Sequence, residues 1–214
     1  LSELQAECSK RFKISPDQTL QVAQELYEKK LTTYPRTDAR VLSSAVAKEI
    51  DKNIRKLRNY EPTHEFVEHI LSEKLYAKMS NSQYTDDSKG TDHYAIIPTG
   101  QLTELGNLSD LQKSVFDLIV RRFLSIFYPP TEFETAKMVV QVDREKFFSG
   151  AKRMKTPGYL VVAKTPERKK FEEDNARIMG GEGLASDKEE EDGEVNSVAL
   201  LDLADSLKVG DLLT

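Results

Sequence analysis

Tyr34, Arg36 and Asp38 alternate along the segment 31–38 (LTTYPRTD), which follows a predicted helix. Pro35 disfavours the α conformation at Tyr34, so the tyrosine is expected on a stiff, extended segment. Residues two apart in an extended chain share a face, which predicts that Tyr34 and Arg36 point the same way. A phenol beside a guanidinium suits attack on a phosphodiester, because arginine binds phosphate through two hydrogen bonds and stabilises transition-state charge. Asp38 is expected to orient Arg36; the alternative interpretation is a turn with an exposed tyrosine and a surface ion pair.

A second segment, 93–99 (HYAIIPT), follows a polar loop that contains glycine. A lone histidine is more often structural than catalytic. His93, however, has hydroxyl-bearing and cationic neighbours in sequence, including Lys89, and this is a setting in which a histidine can contact a phosphate.

Helices must position these residues, since helical patterns fill the first two thirds of the chain. Ser2 with Gln5, and Ser15 with Gln18, have the spacing of capping boxes and predict two helix starts. The short connection between these helices is typical of a helix-turn-helix or winged-helix unit, and also of a plain helical hairpin. Further helices are predicted over 42–57, 63–78 and 109–127, the last after a Ser-x-x-Gln signal.

The pattern changes at Pro129–Pro130, where we place a domain boundary. Strands are predicted over 138–142, 146–148, 159–163 and 198–201. A charged hairpin turn is predicted at Asp143–Glu145. The predicted fold class is therefore multidomain α+β. A helical domain with winged-helix-like character (1–129) carries Tyr34, and part of an antiparallel β domain (130–214) follows.

The net charge of −5 is concentrated in one segment. Between Glu167 and Glu194 the chain has 11 acidic and five basic residues, so this stretch carries −6 and the remainder +1. We expect a solvated acidic loop at about 167–196. Because the remainder is nearly neutral, any DNA contact must come from clustered lysines and arginines.

The cysteine content and the hydropathy exclude several classes of protein. Cys8 is the only cysteine, so a disulfide within the chain and a zinc site built on several thiolates are excluded, and a cytoplasmic location is expected. No stretch approaches the roughly 20 apolar residues of a membrane span. The sequence begins at Leu1, not methionine, and we expect a fragment of a longer protein.

Together these segments resemble the type IA DNA topoisomerases, and they look most like the bacterial topoisomerase III branch. The matching runs are 23–27 (AQELY), 31–38 with the following 42–43 (LS), and 93–99, in the family's order and spacing. The resemblance extends from Leu4 to about Ala163. Ala39 departs from the family, which commonly has serine there, and we expect this difference to be tolerated.

In that family a tyrosine attacks one DNA strand, forms a 5′-phosphotyrosyl link and leaves a free 3′-OH that reseals the break after strand passage. The resemblance implies that Tyr34 is the nucleophile and that Arg36 and His93 bind the scissile phosphate. Supporting and DNA-binding roles are implied for four further residues: Thr37 and Asp38 in support, and Lys89 and Arg40 in DNA binding.

The family also uses Mg²⁺ held by a Toprim domain with an Asp-x-Asp pair, and this chain contains no Asp-x-Asp. We therefore expect no metal ligands or cofactor within this chain, Mg²⁺ ligands elsewhere in the full-length enzyme, and an inactive isolated fragment. The implied partners are single-stranded DNA and the Toprim and remaining domains of the same chain, with no membrane.

Two other interpretations are open. The first is a non-enzymatic helix-turn-helix or winged-helix DNA-binding module, in which Lys29, Lys30, Arg36 and Arg40 contact phosphates. The second is a scaffold domain that binds other proteins through its acidic loop.

Overall fold

The computed structural model describes residues 1–89 and 93–163. In this part of the chain a series of helices precedes a two-stranded antiparallel sheet and a short helix follows it, a mixed α+β fold as predicted. No described helix is long and apolar enough to cross a bilayer.

The helices are α1 (Ser2–Phe12), α2 (Pro16–Glu28), α3 (Ser44–Lys48), α4 (Ile50–Lys56), α5 (His64–Ser72), α6 (Asp110–Ser125) and α7 (Leu160–Ala163), and the strands are β1 (Glu132–Val142) and β2 (Glu145–Thr156). Turns of 3₁₀ helix cover Leu57–Asn59, Glu61–Thr63, Leu75–Asn81 and Leu105–Asn107.

The described residues form two compact units. The helical unit contains residues 1–129 and the described residues from Tyr159 onward, and the hairpin unit contains residues 130–158. The acidic segment at 167–196 and the predicted strand at 198–201 lie outside the described residues. The assignment of 1–129 and 130–214 as domains stays a prediction.

Capping serines begin two of the helices as predicted. Ser15 Oγ accepts a hydrogen bond from the backbone N–H of Gln18 at 3.2 Å, and the Gln18 side chain accepts one from the backbone N–H of Ser15 at 2.9 Å. The same reciprocal pair joins Ser109 and Gln112 at the start of α6. The capping box predicted at Ser2 is wrong, because α1 already includes Ser2 and the residue at its cap position makes no side-chain capping bond.

Two predicted helices are interrupted in the structure. The helix predicted over 42–57 is divided at Glu49 into α3 and α4, and the side chains buried around this break are Ala47 and Ile50. The helix predicted over 63–78 ends at Ser72. The left-handed residue Lys74 then redirects the chain into a 3₁₀ turn that buries Met79. In both cases tertiary burial overrides a continuous local pattern.

Arg121 on α6 connects three elements of the helical unit. Its side chain is almost fully buried, and its Nε donates to Asp117 at 2.7 Å. The two terminal nitrogens donate to the carbonyls of Pro62 at 2.8 Å and Val162 at 3.1 Å. Because each nitrogen of this buried cation donates a hydrogen bond, α6 is tied to the second 3₁₀ turn and to α7.

The strands of the hairpin unit are longer than predicted, and the turn lies where it was expected. Asp143 adopts the left-handed conformation between β1 and β2. The strand predicted over 159–163 is wrong, because Leu160–Ala163 forms α7 and buries Val162 in the helical unit. A short apolar run is compatible with either a strand or a buried helical turn, and here packing against α6 selects the helix.

Candidate active site

The end of α2 fixes where the tyrosine segment begins. Lys30 has φ 61°, and its N–H donates to the carbonyl of Tyr27 at 2.8 Å. The N–H of Leu31 donates to the carbonyl of Leu26 at 2.9 Å. This pair of bonds is a Schellman motif, which stops the helix and sends the chain into an extended conformation.

The two segments singled out in the sequence lie side by side. Thr32 and Pro98 form an antiparallel bridge, and the N–H of Thr33 donates to the carbonyl of Ile97 at 2.9 Å. The Thr33 hydroxyl also accepts from the N–H of Ile97 at 2.9 Å and donates to the carbonyl of Ala95 at 3.1 Å. Three bonds from one residue therefore set the register of the tyrosine segment against the histidine segment.

The far end of this pairing is anchored to α4. Asn53 Nδ2 donates to the carbonyl of Pro98 at 3.1 Å. Gly100 follows with φ 81°, and a Cβ at this position would lie 2.4 Å from the Cβ of Lys56. Only glycine fits this turn without displacing the backbone, so the exit of the histidine segment is fixed as well.

Tyr34 is half-buried between two other rings. Its centroid lies 4.5 Å from that of His93, with the planes tilted by 41°, and 5.4 Å from that of Tyr27 in an edge-to-face contact. Such contacts contribute to a defined ring position. The phenol is therefore held beside the imidazole, and the tyrosine is not the exposed turn residue of the alternative interpretation.

Arg36 is exposed, whereas its neighbours Pro35 and Thr37 are buried. The chain bends here, because the N–H of Thr37 donates to the carbonyl of Pro35 at 3.0 Å. Arg36 lines a cleft of about 390 Å³ against α2. The cleft is also lined by Asp17, Leu20, Gln21, Gln24, Glu25 and Glu28. Arg36 thus lines a cleft that also contains the carboxylates Asp17, Glu25 and Glu28.

Thr37 and Asp38 have different surroundings. Thr37 is buried, and its hydroxyl accepts from the N–H of Ala39 at 3.1 Å and donates to the carbonyl of His93 at a long 3.5 Å. Asp38 is exposed, and among the described residues no ion pair joins it to Arg36. The structure therefore brings Thr37 to the histidine segment but does not pair Asp38 with the arginine.

The two cations expected to bind DNA are exposed and paired with carboxylates. Arg40 lies 3.0 Å from Glu3, and Lys89 Nζ lies 3.1 Å from Asp86. The Ser88 hydroxyl, together with Lys89, lowers the pKa of Asp86 to about 2. Exposed pairs of this kind are weak, so both cations can exchange a carboxylate for a phosphate at little cost.

Comparison with known proteins shows which family the sequence belongs to. A family model described as DNA topoisomerase matches residues 1–205. The chain belongs to the DNA topoisomerase family. This confirms the resemblance to the type IA enzymes, and a stand-alone DNA-binding module is not favoured.

Relatives within the topoisomerase family show how much of such a protein the chain covers. DNA topoisomerase 3 of Bacillus subtilis is 36% identical over 176 residues, which are 82% of this chain and 24% of that protein. DNA topoisomerase 3 of Bacillus licheniformis is 37% identical over 163 residues, 76% of this chain and 22% of that protein. The chain thus spans about a quarter of the length of the curated relatives it matches.

The fold is also similar to that of a solved topoisomerase. Full-length topoisomerase I from Thermotoga maritima matches with a TM-score of 0.50 and 24% sequence identity, over 88% of this chain and 28% of that one. At this identity the match supports the fold alone.

The described residues do not fit the Mg²⁺ that the topoisomerase family implies. Among residues 1–89 and 93–163, no group of three or more His, Cys, Asp or Glu side chains is arranged to hold a metal ion.

Sequence reasoning missed Tyr27 and Thr33 as parts of the tyrosine site. Tyr27 fits the apolar stripe of α2, but it is 39% exposed and packs against Tyr34. Its position as the next-to-last residue of α2 was the available signal. The role of Thr33 depends on pairing with residues more than 60 positions away, which no local pattern reveals.

Proposed function

We propose that this chain is the tyrosine-bearing part of a type IA DNA topoisomerase that cuts one strand of single-stranded DNA and reseals it. The observation that carries the proposal is the Tyr34–His93 contact at 4.5 Å, in a chain of the topoisomerase family. Relatives named DNA topoisomerase 3 favour the topoisomerase III branch.

The chemistry begins with attack of the Tyr34 phenolic oxygen on a backbone phosphorus. The bond from phosphorus to the 3′-oxygen breaks, the 3′-oxygen takes up a proton, and the phenol loses one. A 5′-phosphotyrosyl link and a free 3′-OH result. Because the covalent link retains the phosphodiester energy, the 3′-OH reverses the reaction after strand passage without a nucleotide cofactor.

Arg36 and His93 are the phosphate-binding residues of this proposal. A guanidinium and an imidazole beside the tyrosine hold the phosphate and stabilise the negative charge of the transition state. Thr37 supports His93 through the backbone, and Asp38 contributes negative charge near Arg36. Lys89 and Arg40 bind the flanking DNA backbone.

The remaining parts of the enzyme are proposed to lie outside this chain. They include the Toprim domain and the ligands of Mg²⁺, so the 214-residue chain should not cleave DNA by itself. Denaturing gels of the chain incubated with a single-stranded oligonucleotide and Mg²⁺ test this, since a DNA-linked band lost in Tyr34→Phe would show a complete site. We also propose that the protein is cytoplasmic and that α1 and α2 form a winged-helix-like unit.

In the full-length enzyme, Tyr34→Phe should abolish cleavage and relaxation and leave DNA binding nearly unchanged, because only the attacking oxygen is removed. Covalent DNA adducts on denaturing gels and binding by anisotropy measure the two properties. Tyr27→Phe is the matched control, because its ring contacts Tyr34 and it loses the same atom. It should retain cleavage; an adduct in Tyr34→Phe would refute the nucleophile assignment.

A further inference from the structure

The register of the hairpin unit divides its side chains between two different faces. Val139 pairs with Phe148, Gln141 with Lys146 and Lys137 with Gly150, so these side chains share one face. We call this the lysine–phenylalanine face. Its members used below are Phe133, Lys137 and Val139 on β1 and Lys146, Phe148 and Lys152 on β2.

Charge is segregated between the two faces. Glu134 and Glu145 lie on the opposite face, where Glu134 forms an ion pair with Arg153 at 2.7 Å. The strand positions of the lysine–phenylalanine face carry no acidic residue. Within the described residues its three lysines form no ion pair, and this face is therefore uniformly positive.

Side chains near the turn are exposed on both faces, and Phe147 on the opposite face is 60% exposed, so charge and not exposure distinguishes the faces there. The opposite face buries Ala151 against Ala136 and Met138, a small cluster of its own. On the lysine–phenylalanine face Val139 is 55% and Phe148 is 76% exposed. A ring as exposed as that of Phe148, on a face with lysines and no acidic side chain, has the properties of a binding surface.

The chemistry of this face matches a single-stranded nucleic acid. Phe148 offers a ring for base stacking, and Lys146 lies two residues along the strand, about 7 Å away. Lys152 Nζ lies 4.2 Å from the Phe133 ring centroid, so aromatic and cationic groups already alternate across the face. Stacking platforms flanked by cations bind single strands with little sequence preference, whereas paired bases in a duplex hide their faces.

We propose that the lysine–phenylalanine face binds single-stranded DNA by stacking and phosphate contact, as a second DNA contact separate from the tyrosine site. The choice of DNA over RNA rests on the proposed function. The inference that this face binds a single strand uses only residues of the hairpin unit and does not depend on the proposed function.

The experiment measures binding of fluorescent oligothymidine to the 214-residue chain by anisotropy at low salt. Phe148→Ala should weaken binding about five-fold or more, the effect of losing one stacked base. Phe147→Ala is the matched control, because Phe147 is the adjacent residue, is 60% exposed and lies on the opposite face. It should leave the affinity unchanged.

The phosphate contacts are tested by a salt titration. Lys137→Gln and Lys146→Gln should each reduce the slope of log affinity against log salt by about 0.7. Lys10→Gln, an exposed lysine in the last turn of α1, should leave the slope unchanged. Phe148→Tyr should bind like the wild type and Phe148→Leu should not, which separates stacking from apolar burial if Phe148→Ala fails to fold.

Three results would overturn the proposal: no binding by the wild-type chain, equal losses for Phe147→Ala and Phe148→Ala, or a Phe148 variant that alters sedimentation and so identifies a contact between copies. Each of these three results can be distinguished from failure of the proposed function, because the assay measures binding and not cleavage. Oligothymidine binding does not require Tyr34, and Tyr34→Phe should bind as the wild type does.

Discussion

Tyr34 and Phe148 are both aromatic residues, yet their surroundings differ. Tyr34 is half-buried between the rings of Tyr27 and His93, and its segment is registered by three hydrogen bonds from Thr33. Phe148 is 76% exposed on a two-stranded hairpin. The packed rings and the fixed register hold the hydroxyl of Tyr34 in one position. The exposed hairpin leaves the ring face of Phe148 accessible.

This difference corresponds to two different tasks. A nucleophile must be positioned to within a fraction of an ångström, and it therefore needs packed neighbours and a fixed register. A stacking surface for a flexible strand needs access and tolerates imprecision. Changes in the tyrosine site should therefore alter rates and stability, and changes in the hairpin should alter affinity.

After the loss of cleavage expected for Tyr34→Phe, the largest effect should come from Arg36 and His93. In the full-length enzyme, loss of either phosphate contact should slow cleavage by about 10² to 10³, or roughly 2.7 to 4 kcal/mol, as for other donors to transition-state charge. Arg36→Ala should be the more damaging, because it removes a full charge. Single-turnover cleavage at saturating DNA measures the rate without the contribution of binding.

Arg40→Ala is the control for Arg36→Ala, since both are exposed arginines on the same segment. It should weaken DNA binding and leave the saturated cleavage rate nearly unchanged. A wild-type rate for Arg36→Ala or His93→Ala would remove that residue from the catalytic set and weaken the contrast between the two regions.

The sequence predicted the parts of the tyrosine site that depend on local chemistry. The Ser15 box and the helix start at Ser109 follow from residues within a few positions of one another. The association of Tyr34 with His93 was predicted only through the family resemblance, because nothing local connects two segments about 60 residues apart.

What could not be predicted depends on tertiary packing. The break at Glu49 and the helix at Leu160–Ala163 are set by burial in the helical unit. The acidic cleft beside Arg36 exists only once α2 lies against the tyrosine segment. The lysine–phenylalanine face required the strand register, since the strands predicted at 138–142 and 146–148 were too short to reveal it.

The neighbouring threonines Thr32 and Thr33 test the register of the tyrosine segment. Thr33→Val should destabilise the chain by about 1 to 3 kcal/mol, because the hydroxyl that accepts from the N–H of Ile97 and donates to the carbonyl of Ala95 is lost. Thr32 is buried, but its hydroxyl has no hydrogen-bond partner among the described residues. Thr32→Val should therefore be neutral or slightly stabilising. Urea unfolding measures both variants, and equal effects would contradict the role given to Thr33.

The smallest effect should come from the end of α2. Lys30 occupies the left-handed position of the Schellman motif, where a side chain costs about 1 kcal/mol that glycine avoids. Glycine also increases the entropy of the unfolded chain, so Lys30→Gly should raise the free energy of unfolding by at most about 1 kcal/mol.

Lys29→Gly is the control, because Lys29 has φ −77° and no such strain to relieve. A gain for Lys29→Gly equal to that of Lys30→Gly in urea unfolding would show that backbone strain at the helix end does not explain the effect. A gain for Lys30→Gly alone, with cleavage unchanged, would show that the position of Tyr34 depends on its packed neighbours and not on the residue that ends the helix.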